Sequence, residues 1–168
     1  MTNWSLNIVV DEDESRKFGN HVGSAIVNCG AIEQLTYKYV AILSERHILG
    51  TGLGGQPFAK RRNTVVDLLS RAEIDDELRQ RAIALWDESK EVMIARNLIA
   101  HNPITRVRID RAEGGEESMM VVLDMKQSTA QEIRHLNIEK IANIANRAQV
   151  ISEELSTCCD EIGCSLAK

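Results

Sequence analysis

The sequence predicts an all-α fold, an antiparallel bundle of four main helices with a small β-hairpin between helices three and four. Three observations predict it: apolar residues recur every three or four positions in long segments, one stretch after residue 103 alternates with a period of two, and the loops are short. The 168 residues, 43% of them hydrophobic and 27% charged, suffice for one globular domain. We expect a single domain over residues 1–168, with residues 1–13 as an N-terminal arm.

Helix one is expected from about Ser15 to His47. Its apolar residues form one stripe along the helix, and a second set of apolar residues lies beside that stripe and widens it. A helix with so wide an apolar surface is predicted to be central and buried on two flanks. The apolar residues are Phe18, Val22, Ile26, Cys29, Ile32, Leu35, Tyr39, Val40, Ile42 and Leu43. The glycine-rich segment 50–57 then breaks the chain. Helix two is expected from about Phe58 to Glu73.

Helix three is expected from about Asp75 to His101, because its apolar residues share one face that continues into Arg96. After Pro103 the alternation of apolar and polar residues predicts two strands, 104–111 and 119–126. Helix four follows in the sequence. Its predicted N-terminus has Ser128 or Thr129 as the N-cap and Glu132 in position for a capping box.

Composition and charge narrow the setting. The net charge of −5 argues against a surface that coats nucleic acid broadly, although it permits a local basic site. The apolar run 6–10 is too short to span a bilayer, so we expect no membrane association and a cytoplasmic location. Cys158, Cys159 and Cys164 crowd one end, Cys29 lies far away, and their spacing is not that of a zinc site. We therefore expect reduced thiols and no metal or other cofactor.

The end of helix three carries the residues best suited to phosphodiester chemistry. Asn97 and His101 are i,i+4 neighbours, with Arg96 beside them. Pro103 disfavours helical geometry at Asn102, so His101 lies in the last turn, where the helix dipole favours a protonated imidazole. An imidazole that titrates near neutrality, a guanidinium that binds phosphate and an amide that orients either are the parts of a metal-free nuclease. We take Arg96, Asn97 and His101 as the candidate catalytic residues.

The spacing alone is a weak signal, because Arg-x4-His also occurs at Arg16 and His21. Context separates the two occurrences. Arg16 lies in an acidic, polar helix start, whereas Arg96 continues an apolar stripe and its helix ends just after His101. The structural alternatives are a helix-end histidine that binds a free carbonyl and an arginine in a buried ion pair.

Glu33 is a second charged residue in an apolar sector, this time of helix one. An ionised carboxylate there needs a cationic partner, since a buried unpaired charge costs several kcal/mol. Arg96 has the same requirement on helix three, so we expect the two side chains to pair, with Glu33 holding the guanidinium in place for phosphate. The alternative is that Glu33 borders solvent at the edge of the bundle.

The segment Arg96-Asn97-Leu98-Ile99-Ala100-His101, at the end of a third long helix and followed by a hairpin, resembles the Arg-x4-6-His signature of the HEPN superfamily. In that family an asparagine commonly follows the arginine. The likeness extends to helix one, where residues 22–27 and 32–35 resemble the long first HEPN helix with its acidic residue. The resemblance implies a metal-independent endoribonuclease of toxin or phage-defence type, with an active site formed where two such helices meet across a dimer axis.

In the mechanism that this resemblance implies, an RNA 2′-hydroxyl attacks the adjacent phosphorus. His101 acts as general base or acid, Arg96 neutralises charge on the phosphoryl oxygens, and Asn97 either fixes the histidine ring or hydrogen-bonds the phosphate. The alternatives are a catalytically inactive HEPN module that dimerises or binds RNA or nucleotides, and a purely structural bundle.

The expected partners are RNA, a second copy of the chain and an antitoxin protein. A candidate dimer surface on helix three is the strip of Ile83, Ile94, Leu98 and His101. Basic residues that could guide the RNA backbone occur on the hairpin and at the start of helix two, although both groups could also be ordinary solvated faces. They are Arg106, Arg108, Arg111, Lys60, Arg61 and Arg62.

Overall fold

Four helices and four short strands make up the part of the chain that the computed structural model describes, residues 4–6, 12–44, 53–110, 116–124 and 135–167. The fold is an all-α helical bundle with a small antiparallel sheet, as predicted. In chain order the elements are β1 (Trp4–Leu6), α1 (Glu12–Leu43), α2 (Phe58–Arg71), α3 (Asp76–His101), β2 (Ile104–Asp110), β3 (Glu116–Leu123), β4 (His135–Asn137) and α4 (Ile138–Leu166).

Helices α1, α2 and α3 lie close to their predicted positions, and α3 ends at His101 as predicted. The predicted start of the fourth helix is wrong, because residues 135–137 form strand β4 and α4 begins at Ile138. Asn137 caps the helix, since its Oδ1 accepts the backbone N–H of Lys140 at 3.0 Å. The predicted capping residues 128, 129 and 132 lie outside the described residues.

The four strands form one antiparallel sheet in the order β1-β2-β3-β4. Strands β2 and β3 are the predicted hairpin, in which Ile104 lies opposite Val122. Strand β1, part of the predicted N-terminal arm, pairs Trp4 with Ile109, and β4 pairs Leu136 with Val122. Strands β1 and β4 were not predicted, because three residues are too few to show an alternation.

The chain divides into two compact units, each with its own buried apolar cluster. Unit 1 comprises Met1–Ile26 and Ile94–Asn146, and unit 2 comprises Val27–Met93 and Arg147–Lys168. The buried cluster of unit 1 draws on α1, α3, β3 and α4. Its members are Phe18, Ala25, Ile99, Val122, Ile141 and Ala145.

Trp86 is the largest buried side chain of the cluster in unit 2. Its indole packs edge-on against the ring of Tyr39, with 5.2 Å between the ring centroids. The Tyr39 hydroxyl donates to the carbonyl of Leu155 at 2.8 Å. Burial raises the pKa of Tyr39 far above its ordinary value, so the hydroxyl keeps the proton that it donates.

In unit 1 a charge-assisted hydrogen bond attaches the first turn of α1 to the sheet. The backbone N–H of Met120 donates to Glu14 Oε1 at 3.2 Å. Strand β4 pairs Asn137 with Val121, and α4 begins at the next residue, so Met120 is the first residue of β3 beyond the reach of β4. The Glu14 carboxylate therefore accepts a backbone N–H that β4 is too short to pair.

We expect Glu14→Ala to lower the free energy of unfolding by about 1–3 kcal/mol, because it leaves a half-buried strand N–H without its acceptor. Glu12→Ala is the matched control. Both residues lie in the first turn of α1, where a negative charge interacts favourably with the helix dipole and contributes about 0.3–1 kcal/mol. Glu12 differs from Glu14 in being exposed. Urea denaturation of the two variants measures the difference, and equal losses would contradict the role given to Glu14.

Candidate functional site

The last two turns of α3 place the three candidate catalytic residues on two different faces. Ile99 is buried in the cluster of unit 1. At about 100° per residue, Asn97 and His101 each lie about 160° from Ile99, and both are exposed. Arg96 lies only about 60° from Ile99 and is half-buried. Asn97 and His101 therefore share the solvent face of α3, and Arg96 lies on the side nearer to the core.

The Arg96 guanidinium contacts the side chain of Asn97. Arg96 Nη1 donates to Asn97 Oδ1 at 3.0 Å. A guanidinium has only donors, so the atom of the amide that faces it has to be the oxygen. The amide nitrogen of Asn97, with its two N–H groups, is therefore directed away from Arg96.

The end of α3 is closed by residues other than His101. The side chain of Asn102 donates from Nδ2 to the carbonyl of Leu98 at 2.9 Å, which satisfies one carbonyl that the helix end leaves open. The carbonyl of Pro103 accepts the N–H of Leu123 at 3.1 Å, where the sheet begins. The exposed His101 thus stands at the junction of helix and sheet.

Apolar residues flank this exposed face. Ile94 and Ile104 are large hydrophobic residues of unit 1 that are exposed, Ile94 to 71%. Ile94 lies one turn before Leu98 and on the solvent side of the helix, as His101 does. Of the predicted dimer strip, Ile94 and His101 are exposed and Leu98 is half-buried. Ile83, the fourth member, is half-buried and belongs to unit 2.

Glu33 forms an ion pair within unit 2. Its Oε2 lies 3.4 Å from Nη2 of Arg61, and its side chain is 29% exposed. The carboxylate therefore has a cationic partner, as its place in an apolar sector requires. The predicted pairing with Arg96 involves a residue of unit 1 and stays a prediction.

Arg61 is buried, with 7% of its surface exposed, and every nitrogen of its guanidinium has a partner. Besides the pair with Glu33, Nη1 donates to the carbonyl of Gln56 at 2.5 Å and Nε to Thr36 Oγ1 at 3.3 Å. Its guanidinium also lies 5.1 Å from the ring centroid of Tyr37. These contacts bind the loop before α2 to α1.

Arg62 is buried to a similar degree, with 6% of its surface exposed. Its Nε donates to the carbonyl of Trp86 at 2.8 Å, and its Nη2 donates to Asp87. Lys90, more than Arg62, holds the pKa of Asp87 below its ordinary value, so the carboxylate stays charged. Arg62 therefore joins α2 to α3 within unit 2.

These positions favour a structural role for Arg61 and Arg62 over the predicted contact with RNA, because their donors are used inside unit 2. The sequence held a signal for this outcome: Arg62 precedes Val65 and Leu69 on one apolar stripe. The same pattern places Arg96 on the apolar stripe of α3. Lys60, the third basic residue of that group, is exposed.

Of the three remaining basic candidates, two lie on β2. Arg106 and Arg108 lie on β2, opposite Met120 and Ser118 of β3. Arg111 lies outside the described residues. The second occurrence of the motif spacing begins at Arg16, an exposed residue on α1 that pairs with Asp13 at 2.7 Å.

The cysteines are free thiols, three of them buried and Cys164 exposed. Burial raises the pKa of Cys159 to about 11, so this thiol is protonated and inert at neutral pH. In the described segments, no group of three or more His, Cys, Asp or Glu side chains is arranged to hold a metal ion. None of the described helices is long and apolar enough to cross a membrane.

Comparison with known proteins does not supply a family. No protein-family model matches the chain, and neither a curated protein nor a solved structure matches it. The likeness to the HEPN superfamily therefore stands on the Arg96 to His101 segment and its place at the end of α3.

We expect Arg62→Met to lower the free energy of unfolding by about 1.5–3 kcal/mol, because it removes buried, charge-assisted hydrogen bonds. Lys60→Met, at an exposed position two residues earlier, should change stability by no more than about 0.5 kcal/mol. Urea denaturation and RNA affinity would be measured for both. A stable Arg62→Met variant with weakened RNA binding would show that Arg62 contacts RNA, as the sequence predicts.

Proposed function

We propose that this protein is a metal-independent endoribonuclease of the HEPN type. One observation carries the proposal: Asn97 and His101 lie together on the exposed face at the end of α3, and Arg96 is hydrogen-bonded to Asn97 beside them. The three side chains combine an imidazole, the commonest general acid or base, with donors suited to phosphoryl oxygens. The exposure of Asn97 and His101 leaves room for a substrate as large as RNA.

The reaction that suits this set is transesterification within the RNA itself. The 2′-oxygen of the substrate attacks the adjacent phosphorus, the bond from phosphorus to the 5′-oxygen breaks, and the products are a 2′,3′-cyclic phosphate and a 5′-hydroxyl. His101 takes the proton of the 2′-hydroxyl or gives one to the departing 5′-oxygen, a contribution of roughly 10² to 10⁴ in rate. Arg96 and Asn97 together stabilise the charge that develops on the phosphoryl oxygens.

A homodimer would give this chemistry its second proton-transfer group. One imidazole cannot act as base and acid at the same moment, whereas two copies related by a twofold axis bring two His101 side chains to one site. The exposed Ile94 on the same face supports such a contact, because a large apolar side chain is favoured inside an interface and not in water.

The charge distribution favours a restricted RNA substrate. The chain carries a net charge of −5, and Arg61 and Arg62 use their donors inside unit 2. Lys60, Arg106 and Arg108 remain as candidates for backbone contacts. Few phosphate contacts give weak non-specific binding, so a folded RNA or one presented by a partner suits this protein better than any single strand. Control by an antitoxin protein fits a nuclease of toxin or phage-defence type acting in the cytoplasm.

Purified protein incubated with total RNA should cleave it in EDTA and leave 2′,3′-cyclic phosphate ends, because no step requires a metal. His101→Ala should abolish cleavage. His21→Ala, which alters the other Arg-x4-His spacing, is the matched control and should retain activity. Gel analysis and end-group mapping read the outcome. Strict dependence on Mg²⁺ would contradict the mechanism, and RNA binding without turnover would indicate a catalytically inactive module.

The dimer should have a mass of about 38 kDa by light scattering, twice the 18.8 kDa of one chain. Ile94→Glu should convert it to monomers and lower activity at the same time, because a charge replaces the apolar contact. Val27→Glu on α1 is the matched control, since Val27 is exposed to 69% and Ile94 to 71%. An active monomer would rule out the shared site.

A further inference from the structure

The hydrogen bond between Arg96 and Asn97 distinguishes roles that the sequence left open. From the sequence, Asn97 could either fix the ring of His101 or contact the phosphate. Arg96 is expected from the sequence to contact the phosphate itself. Because Oδ1 of Asn97 accepts from Arg96 Nη1, the amide is oriented with its oxygen toward the guanidinium and its nitrogen away from it. The amide nitrogen is then the part of Asn97 that offers hydrogen bonds to a further group.

The positions of the two residues point the same way. Asn97 is exposed on the face that also carries His101, whereas Arg96 is half-buried on the flank nearer to the core. A phosphate that approaches His101 from solvent meets the Asn97 amide on the same face. The guanidinium polarises that amide, since a charged donor on the carbonyl oxygen makes the N–H groups stronger donors.

We propose that the Asn97 amide nitrogen donates to a non-bridging oxygen of the scissile phosphate and that Arg96 is the positioning residue that holds and polarises it. The inference rests on the proposed ribonuclease function and assigns roles within it. It makes Asn97 the neutral donor that stabilises the transition state. Arg96 acts through Asn97, at one remove from the substrate.

Single-turnover cleavage of a defined RNA separates this assignment from direct contact by Arg96. Asn97→Ala should slow the chemical step by roughly 10² to 10³, the usual effect of losing one oxyanion donor, with little change in half-saturating concentration. Arg96→Met should slow it to a similar extent, and the double variant should be no slower than Asn97→Ala. Effects that multiply in the double variant would show that Arg96 contacts the phosphate independently.

Two further variants keep the test independent of folding. Arg96→Lys retains a charged donor for Asn97 Oδ1 and should recover much of the rate that Arg96→Met loses. Asn143→Ala removes an exposed asparagine of α4 and should cleave like the wild type. Thermal melts followed by circular dichroism establish that each variant is folded. A folded Arg96→Lys no more active than Arg96→Met would overturn the positioning role.

A phosphorothioate at the scissile phosphate tests whether Asn97 contacts the phosphate or the histidine. Sulfur at the non-bridging position that Asn97 contacts should slow the wild-type enzyme more than sulfur at the other position. This stereospecific difference should disappear in Asn97→Ala. Its persistence there would mean that Asn97 acts on His101 and would overturn the assignment. A wild-type protein that cleaves no RNA overturns the ribonuclease function together with this role, whereas full activity of Asn97→Ala overturns the role alone.

Discussion

The termination of α3 at Pro103 is the constraint on which the arrangement of unit 1 depends. Proline lacks the N–H that would continue the helix, and it disfavours helical geometry at Asn102. The Asn102 amide takes the Leu98 carbonyl that this ending leaves open, and the Pro103 carbonyl accepts the N–H of Leu123. A single residue thus closes the helix and begins the sheet. His101 is left in the final turn, exposed where the two meet.

Three arginines on apolar stripes differ in the groups that their guanidinium nitrogens contact. Arg61 and Arg62 donate to backbone carbonyls and face carboxylates, so their charges are compensated inside unit 2. Arg96 is less buried, and its Nη1 donates to the neutral amide of an exposed side chain. The proposed phosphate site is built on this contact at the surface of α3.

The acidic character of the chain limits how a nuclease of this kind could find its substrate. Non-specific binding to RNA comes from neutralised phosphates, and here the net charge is −5 with two of the predicted contact arginines buried. Recognition would then depend on the shape of the RNA or on a partner that presents it. A nuclease that binds RNA weakly would also be easier for a partner protein to inhibit, because the partner would compete with little non-specific affinity for RNA.

The sequence by itself determined helices α1 to α3, the hairpin and the position of Asn97 and His101 as neighbours on one side of α3. Each of these depends on local spacing and on Pro103, and spacing reports which side of an element is buried. Only the tertiary structure decided that Arg61 pairs with Glu33, that Arg62 binds Trp86 and Asp87, and that residues 4–6 and 135–137 join the sheet. These outcomes depend on pairing between segments distant in the chain. Periodicity shows that a side is buried, but the partner it is buried against is set by three-dimensional packing.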